Sequence, residues 1–217
     1  MNKNKKSKRI LKILNQIYPK TSIPLKHTNK FTLLVSVLLS AQCTDVNVNN
    51  VTKYIYPKHN KPKHFVRLGK KKIETLIKKI GLFRVKAKSI YLMSKLLIKI
   101  HKGKVPNSFE ELEKLPGVGH KTAGVVISQG FGEPAFPVDT HIHRLAQRWG
   151  LTSGKNVVQT ELDLKKLFPQ KSWNKLHLQM IYYGREHCKA RDCYGISCKI
   201  CTACYPNRRR KIKTIKT

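Results

Sequence analysis

The sequence predicts an all-α protein of about ten helices. Strand-like alternation is nearly absent, apolar residues recur at helical spacing through most of the 217 residues, and the breaks fall at prolines and glycines. A hydrophobic content of 40% supports a real core, in one large or two small domains.

The elements follow in order. Ile10, Leu11, Ile13, Leu14 and Ile17 mark one face of a short helix that ends before Pro19, and residues 19–30 read as a loop. "FTLLVSVLLSA", residues 31–41, is apolar on all sides, as a central buried helix is. Val46, Val48, Val51, Tyr54 and Ile55 form the next face, stopped near Pro57. Ile73, Leu76, Ile77 and Ile80 form another, closed by Gly81, and Ile90 to Ile100 a further one, ended around Gly103. Ser108 can cap "FEELEKL", with Glu111 three residues on completing a capping box. A glycine turn leads into a helix from about Lys121 to Gln129. Asp139 can cap "THIHRLAQRWG", and helices over about 156–168 and 173–187 precede a cysteine-rich segment and a basic tail.

Lys plus Arg number 45 against 11 Asp plus Glu, a net charge of +34. Such an excess attracts a polyanion, most simply nucleic acid, and makes binding salt-dependent. Part of it follows a lysine-, asparagine- and isoleucine-rich composition, which explains lysine over arginine but not the scarcity of acids. Residues 31–41 are too short to cross a bilayer, and "MNKNKKSKRI" lacks the apolar stretch of a secretory signal. An intracellular, cytoplasmic protein with no membrane partner is expected. Its six cysteines should then not be disulfides, and five of them fall within residues 188–204, which points to metal.

"LPGVGHKTAGVVI", residues 115–127, places a lysine at the mouth of a helix, where the free N–H groups favour acids instead. A nucleotide P-loop needs Gly directly before Lys-Ser/Thr and a preceding strand; His120 holds that place here and a helix precedes it. Gly117 and Gly119 suit a tight turn that lets backbone N–H groups approach a phosphate, which carries no sequence information, and they equally suit an ordinary helix–helix turn. The helix-end potential and neighbouring lysines disfavour the charged form of Lys121, and a neutral amine is a nucleophile that can form a Schiff base. A plain phosphate-contacting lysine is the alternative. Asp139 can serve as a cap and as a catalytic carboxylate at once.

"LPGVGHKTA", followed eighteen residues after its lysine by the aspartate of "VDTHIHR" and then by a C-terminal cysteine cluster, resembles the endonuclease III family of the helix-hairpin-helix DNA glycosylase superfamily. "LLSAQCTDVNVN", "IGLFRVKAKSI" and "GKVPNSFEELEKLPGVG" extend the likeness to nearly the whole chain. The resemblance implies a two-domain all-α fold. Residues 25–133 would form a six-helix domain containing the hairpin; residues 1–24 and 134–217 would form an iron–sulfur cluster domain. It implies a monomer that acts on double-stranded DNA with damaged pyrimidines or abasic sites, as a bifunctional glycosylase and lyase. Lys121 and Asp139 would be catalytic, facing each other across a DNA-binding cleft. Gln42 and Leu82 match positions that fill or wedge the gap left by a flipped base, although a helix-end polar residue and a core leucine would explain them as well. Gly117, Gly119 and His120 would contact DNA. His120 stands where arginine is usual and Gly124 where asparagine is usual, which bears on substrate preference more than on chemistry. His141 matches the family, whereas His143 reads as surface or packing. A non-catalytic DNA-binding protein with a metal knuckle, or a glycosylase of another lesion preference, is the alternative.

The family's cysteine pattern is C-x6-C-x2-C-x5-C, but this chain reads C-x4-C-x4-C-x2-C-x2-C from Cys188. Gly195 falls where a second ligand is usual, so the loop must be rearranged. Cys198, Cys201 and Cys204 form the C-x2-C-x2-C run that wraps three corners of a [4Fe–4S] cube. Cys188 is the expected fourth ligand and Cys193 its rival. Zinc is the competing metal, since four thiolates also suit it. Cys43 stands alone and reads as a buried thiol.

Overall fold

The structure, a computed structural model, describes residues 1–216. Among them every regular element is helical, and no helix is long and apolar enough to cross a membrane. The chain divides into two compact units. One is Ile23–Glu133; the other joins Met1–Ser22 to the chain from Pro134 onward.

The unit Ile23–Glu133 holds six α-helices: α2 (Lys30–Ser40), α3 (Asp45–Thr52), α4 (Pro62–Leu76), α5 (Phe83–His101), α6 (Phe109–Glu113) and α7 (His120–Val125). Helix α2 is the central one, with every residue from Phe31 to Leu39 buried, as its all-round apolar sequence requires. It starts on a full capping box, in which Asn29 accepts from Thr32 N and Thr32 Oγ1 takes the Asn29 N–H. Phe31 meets Phe65 of α4 edge-to-face, with ring centroids 5.4 Å apart. Buried Ile73, Ile77, Ile80, Ile90, Met93 and Leu97 close the core. Helix α4 begins well before the apolar face that predicts it, because Pro62 suits the first helical position and Phe65 is buried. Gly69 breaks its ladder at φ 73°. The buried Lys86 of α5 donates to Leu39 O (2.9 Å) and Ala41 O (2.6 Å), tying the start of α5 to the end of α2 with a cation, which a helix C-terminus favours.

Ser108 caps α6 through Glu111 N (3.2 Å), but the capping box expected there is not closed. The Glu111 carboxylate is drawn instead to Lys114 (2.7 Å) and His101 (3.6 Å). Helix α7 stops at Val125 and widens into a π-helical turn over Val126–Phe131, where one α-helix to Gln129 was expected. Gly130 there lies so close to α2 that a Cβ would sit 3.1 Å from Leu33.

The second unit contains α1 (Lys3–Ile17), α8 (Thr140–Arg148), α9 (Val157–Leu167), α10 (Trp173–Glu186) and α11 (Lys199–Cys204). Its core gathers Ile10 and Leu14 of α1 with Phe136, Trp149, Met180 and Tyr183, and the five clustered cysteines lie in it too. Helix α1 begins two turns before its apolar face. Asn2 caps it by accepting from Lys5 N (2.9 Å), and the buried Lys6 places Nζ 3.5 Å from the centre of the Tyr205 ring. Lysines hid these turns from any apolar pattern.

The hairpin glycines differ. Gly117 has φ 81°, and a Cβ there would lie 2.8 Å from Ser89 Cβ. Gly119, the N-cap of α7, has φ −99° and open space around it. Gly117→Ala should therefore cost about 2 kcal/mol or more, roughly 4–8 °C in Tm. Gly119→Ala should leave Tm within about 2 °C. Thermal unfolding followed by circular dichroism reads both, and equal losses would mean that the hairpin has no special need at Gly117.

Candidate active site and metal centre

Lys121 is the second residue of α7 and is exposed, in a first turn with no acidic residue. The hairpin that presents it packs α6 against α7, with Leu112, Leu115, Val118 and Ala123 buried. The His120 side chain is engaged within the hairpin. Its Nδ1 lies 2.7 Å from Glu113 Oε1, and its ring stacks on Phe109 with centroids 4.9 Å apart. The two ends of the turn are thereby clasped beside Lys121.

Gln42 and Leu82 lie on adjacent loops at one end of the unit Ile23–Glu133. A Cβ on Gly81 would sit 3.8 Å from Gln42 O. Both have left-handed backbones, φ 52° and 58°, unusual for residues with a side chain. Leu82 is 58% exposed, so it is not a core leucine. The Lys86 ammonium, which steadies the chain just before Gln42, was missed by sequence reasoning. Its only signal was a lysine one turn into the apolar helix "FRVKAKSI".

In the other unit Asp139 is buried and caps α8, its Oδ1 accepting from Ile142 N at 2.8 Å and its Oδ2 lying outside that bond. His143 is buried and bonded to Thr160 Oγ1 (2.8 Å), a packing role; burial lowers its pKa. The ring of His141 lies against Gly184 and Arg144.

The sulfurs of Cys188, Cys193, Cys198 and Cys201 all lie within 4.8 Å of one another, and all four residues are buried. Cys204, expected as a ligand, stands outside this group, and Cys193, the rival candidate, stands within it. Cys198 is the N-cap of α11 and Cys201 lies in its first turn. Cys204 is three residues further on, about 4.5 Å along the axis. The left-handed pair Tyr194 (φ 48°) and Gly195 (φ 84°) turns the chain beyond Cys193, and Cys198 N approaches Cys193 Sγ to 3.4 Å.

The donor set fits a thiolate-bound metal centre. Four buried thiols face one another, and the Cys201 thiol is pushed far above the ordinary thiol range, first by its hydrogen bond with Cys188 and then by that with Cys198. All four can ionise together only around a cation. Arginines hold the loop from outside. Arg148 donates to Lys189 O (2.8 Å), Ala190 O (2.9 Å) and Cys188 Sγ (3.4 Å). Arg144 donates to Gly184 O (2.9 Å) and Cys188 O (3.1 Å). Arg208 joins Gly195 O (3.0 Å) to Arg148 O (2.6 Å). The i, i+4 spacing of Arg144 and Arg148 in "THIHRLAQRWG" was the available signal for this pair.

The family model of HhH-GPD superfamily base excision DNA repair proteins matches residues 35–170. Endonuclease III of Bacillus subtilis is 40% identical over 201 residues, covering 92% of each chain. That of Escherichia coli is 42% identical over 204 residues, covering 94% of this chain and 96% of its own. A solved structure of a trapped endonuclease III–DNA covalent intermediate, an estranged-adenine complex, superposes with a TM-score of 0.87. It is 40% identical, over 92% of this chain and 94% of the other. By these measures, and with the hairpin, its lysine and the cysteine group already in place, the chain belongs to the HhH-GPD superfamily of base excision DNA repair proteins, among the endonuclease III homologues.

Proposed function

We propose that this protein is a bifunctional DNA glycosylase and abasic-site lyase that excises oxidised pyrimidines from duplex DNA inside the cell. The observation that carries this reading is Lys121, exposed in the first turn of the hairpin helix in a chain 40% identical to an endonuclease III trapped covalently on DNA. A protein that merely bound DNA would need neither this lysine nor Asp139.

The hairpin backbone around Gly117, Gly119 and His120 holds a phosphate, and the open space at Gly119 gives it room. The damaged nucleotide leaves the stack, with Gln42 and Leu82 entering the gap. The Lys121 amine attacks the sugar C1′, and the base departs with the electrons of the C1′–N bond and is protonated by solvent water. The Asp139 carboxylate stabilises the cationic sugar and takes up the proton that the attacking amine releases. Asp139 passes that proton to the ring oxygen, which leaves C1′ with the electrons of the C–O bond as the amine nitrogen forms the protonated imine. Abstraction of a C2′ proton then expels the 3′ phosphate and nicks the strand. Cys188, Cys193, Cys198 and Cys201 would hold a [4Fe–4S] cluster, which supplies a four-thiolate cross-link to an otherwise short loop.

Borohydride should trap the wild-type protein on abasic or thymine glycol duplex. Lys121→Gln should lose trapping and nicking while binding duplex within about tenfold, or 1.4 kcal/mol. Asp139→Asn keeps a good helix cap and should slow base release by about 10²–10⁴-fold. Base release by wild-type protein with no trapping would make water the nucleophile and the enzyme monofunctional.

Anaerobically purified protein should be yellow-brown with about four irons per chain. Cys193→Ser should lose the colour and Cys204→Ser should keep it. Colourless protein with about one zinc per chain would replace the cluster by a zinc site, and the reverse pattern of cysteine variants would restore Cys204 as a ligand.

A further inference from the structure

The unit Ile23–Glu133 carries a cavity of about 960 Å³ that the repair reaction does not use. Its walls come from the start of α2, the segment before α4, the end of α5 and the π-helical turn. Helix α5 runs from Leu82 at one end of the unit to Lys102 at the other, about 30 Å at 1.5 Å per residue. The Lys86 bonds place the start of α5 beside the end of α2, so the start of α2 and the end of α5 meet at the far end. The cavity lies there, remote from Gln42 and Leu82.

Its apolar surface comes from Phe31, Pro62, Ile98, Val105 and Phe131, of which Phe31 and Pro62 are buried and Ile98 is 41% exposed. Five exposed lysines, Lys30, Lys61, Lys63, Lys102 and Lys104, surround it. Among the described residues none of the five is paired to a carboxylate. Lys30 rests on the Phe131 ring, with Nζ 4.0 Å from its centre. The nearest acid along the chain to any lining residue is Glu133, two positions from Phe131. Of the two asparagines in the lining, Asn29 has its side chain engaged, and Asn60 is bonded through its backbone, its N–H donating to His64 Nδ1 at 3.3 Å. Asn29 donates to Asn60 O (2.9 Å) and accepts from Thr32 N (2.9 Å). What remains for a partner is an apolar hollow, with the Asn60 amide at its edge, within a ring of ammonium groups.

We propose that this groove docks an acidic peptide segment of another protein, with one apolar side chain in the hollow and carboxylates on the lysines. Charge complementarity selects this occupant. A second copy of this chain would bring 45 basic residues and 11 acids to a surface that is already positive. A nucleic-acid backbone would engage the lysines but gain nothing from Pro62, Ile98 and Val105. An acidic segment with an apolar anchor uses both features, and the site stays open while the opposite end of the unit works on DNA.

The test uses the full-length protein and a labelled peptide of about ten residues, with a central Phe-Leu pair flanked by glutamates, read by fluorescence anisotropy. A control peptide replaces Phe-Leu by Ser-Ser, and a single-stranded oligonucleotide is the competitor. The anchored peptide should bind at least tenfold more tightly than the control. Lys61→Glu combined with Lys104→Glu, and separately Ile98→Ser, should each weaken it at least tenfold with nicking of abasic duplex unchanged. Equal binding of the two peptides, or insensitivity to these changes, would overturn the proposal. Displacement by the oligonucleotide, with the same dependence on Lys61, Lys104 and Ile98, would make the groove a nucleic-acid site and overturn it too.

Discussion

The approach of the Gly117 backbone to Ser89 and Leu38 is the constraint on which the hairpin depends. A side chain has no room there, and the left-handed turn reverses the chain within the few residues between α6 and α7. That reversal puts Lys121 in the first turn of a helix whose next residues, Ala123 to Ser128, are buried. A lysine held on a buried helix has a defined place, although its side chain faces solvent. The Glu113–His120–Phe109 clasp adds a second tie across the same turn. The imidazole combines a hydrogen bond with a ring stack.

The second unit solves a different problem. The seventeen residues from Cys188 to Cys204, ending in helix α11, must bring four buried sulfurs together. Their carbonyls are gathered by Arg144, Arg148 and Arg208, so the positive side chains of this basic protein become structural donors. The basic tail takes part as well. Ile212 N bonds to Tyr194 O (2.9 Å), and Ile215 N to Gln147 Oε1 (2.7 Å). Residues that composition would assign to solvent or to DNA thus pack over the cysteine segment.

The helices that periodicity located are those with an apolar stripe or a clear stop, such as α2, α5, α8 and α10. Where lysines fill the exposed turns, as at the start of α1 and of α4, periodicity has nothing to register, and each helix begins earlier than its apolar face. The half-formed cap at Ser108 shows the converse case. The Ser-x-x-Glu pattern was present, but nearby Lys114 and His101 competed for the glutamate.

Sequence by itself determined the helical class, the glycine hairpin and its lysine, the capping aspartate and a dense C-terminal cysteine segment. All of these rest on local spacing or on residue chemistry, which a linear chain displays. Tertiary structure alone decided that Cys193 and not Cys204 joins the sulfur group, that Leu82 is exposed, and that Gly117 is constrained while Gly119 is open. The first depends on the left-handed turn at Tyr194 and Gly195, and the last on Ser89 beneath the hairpin, and residue spacing displays neither. Five cysteines at short spacings allow several sets of four, and only the path of the backbone between them selects one.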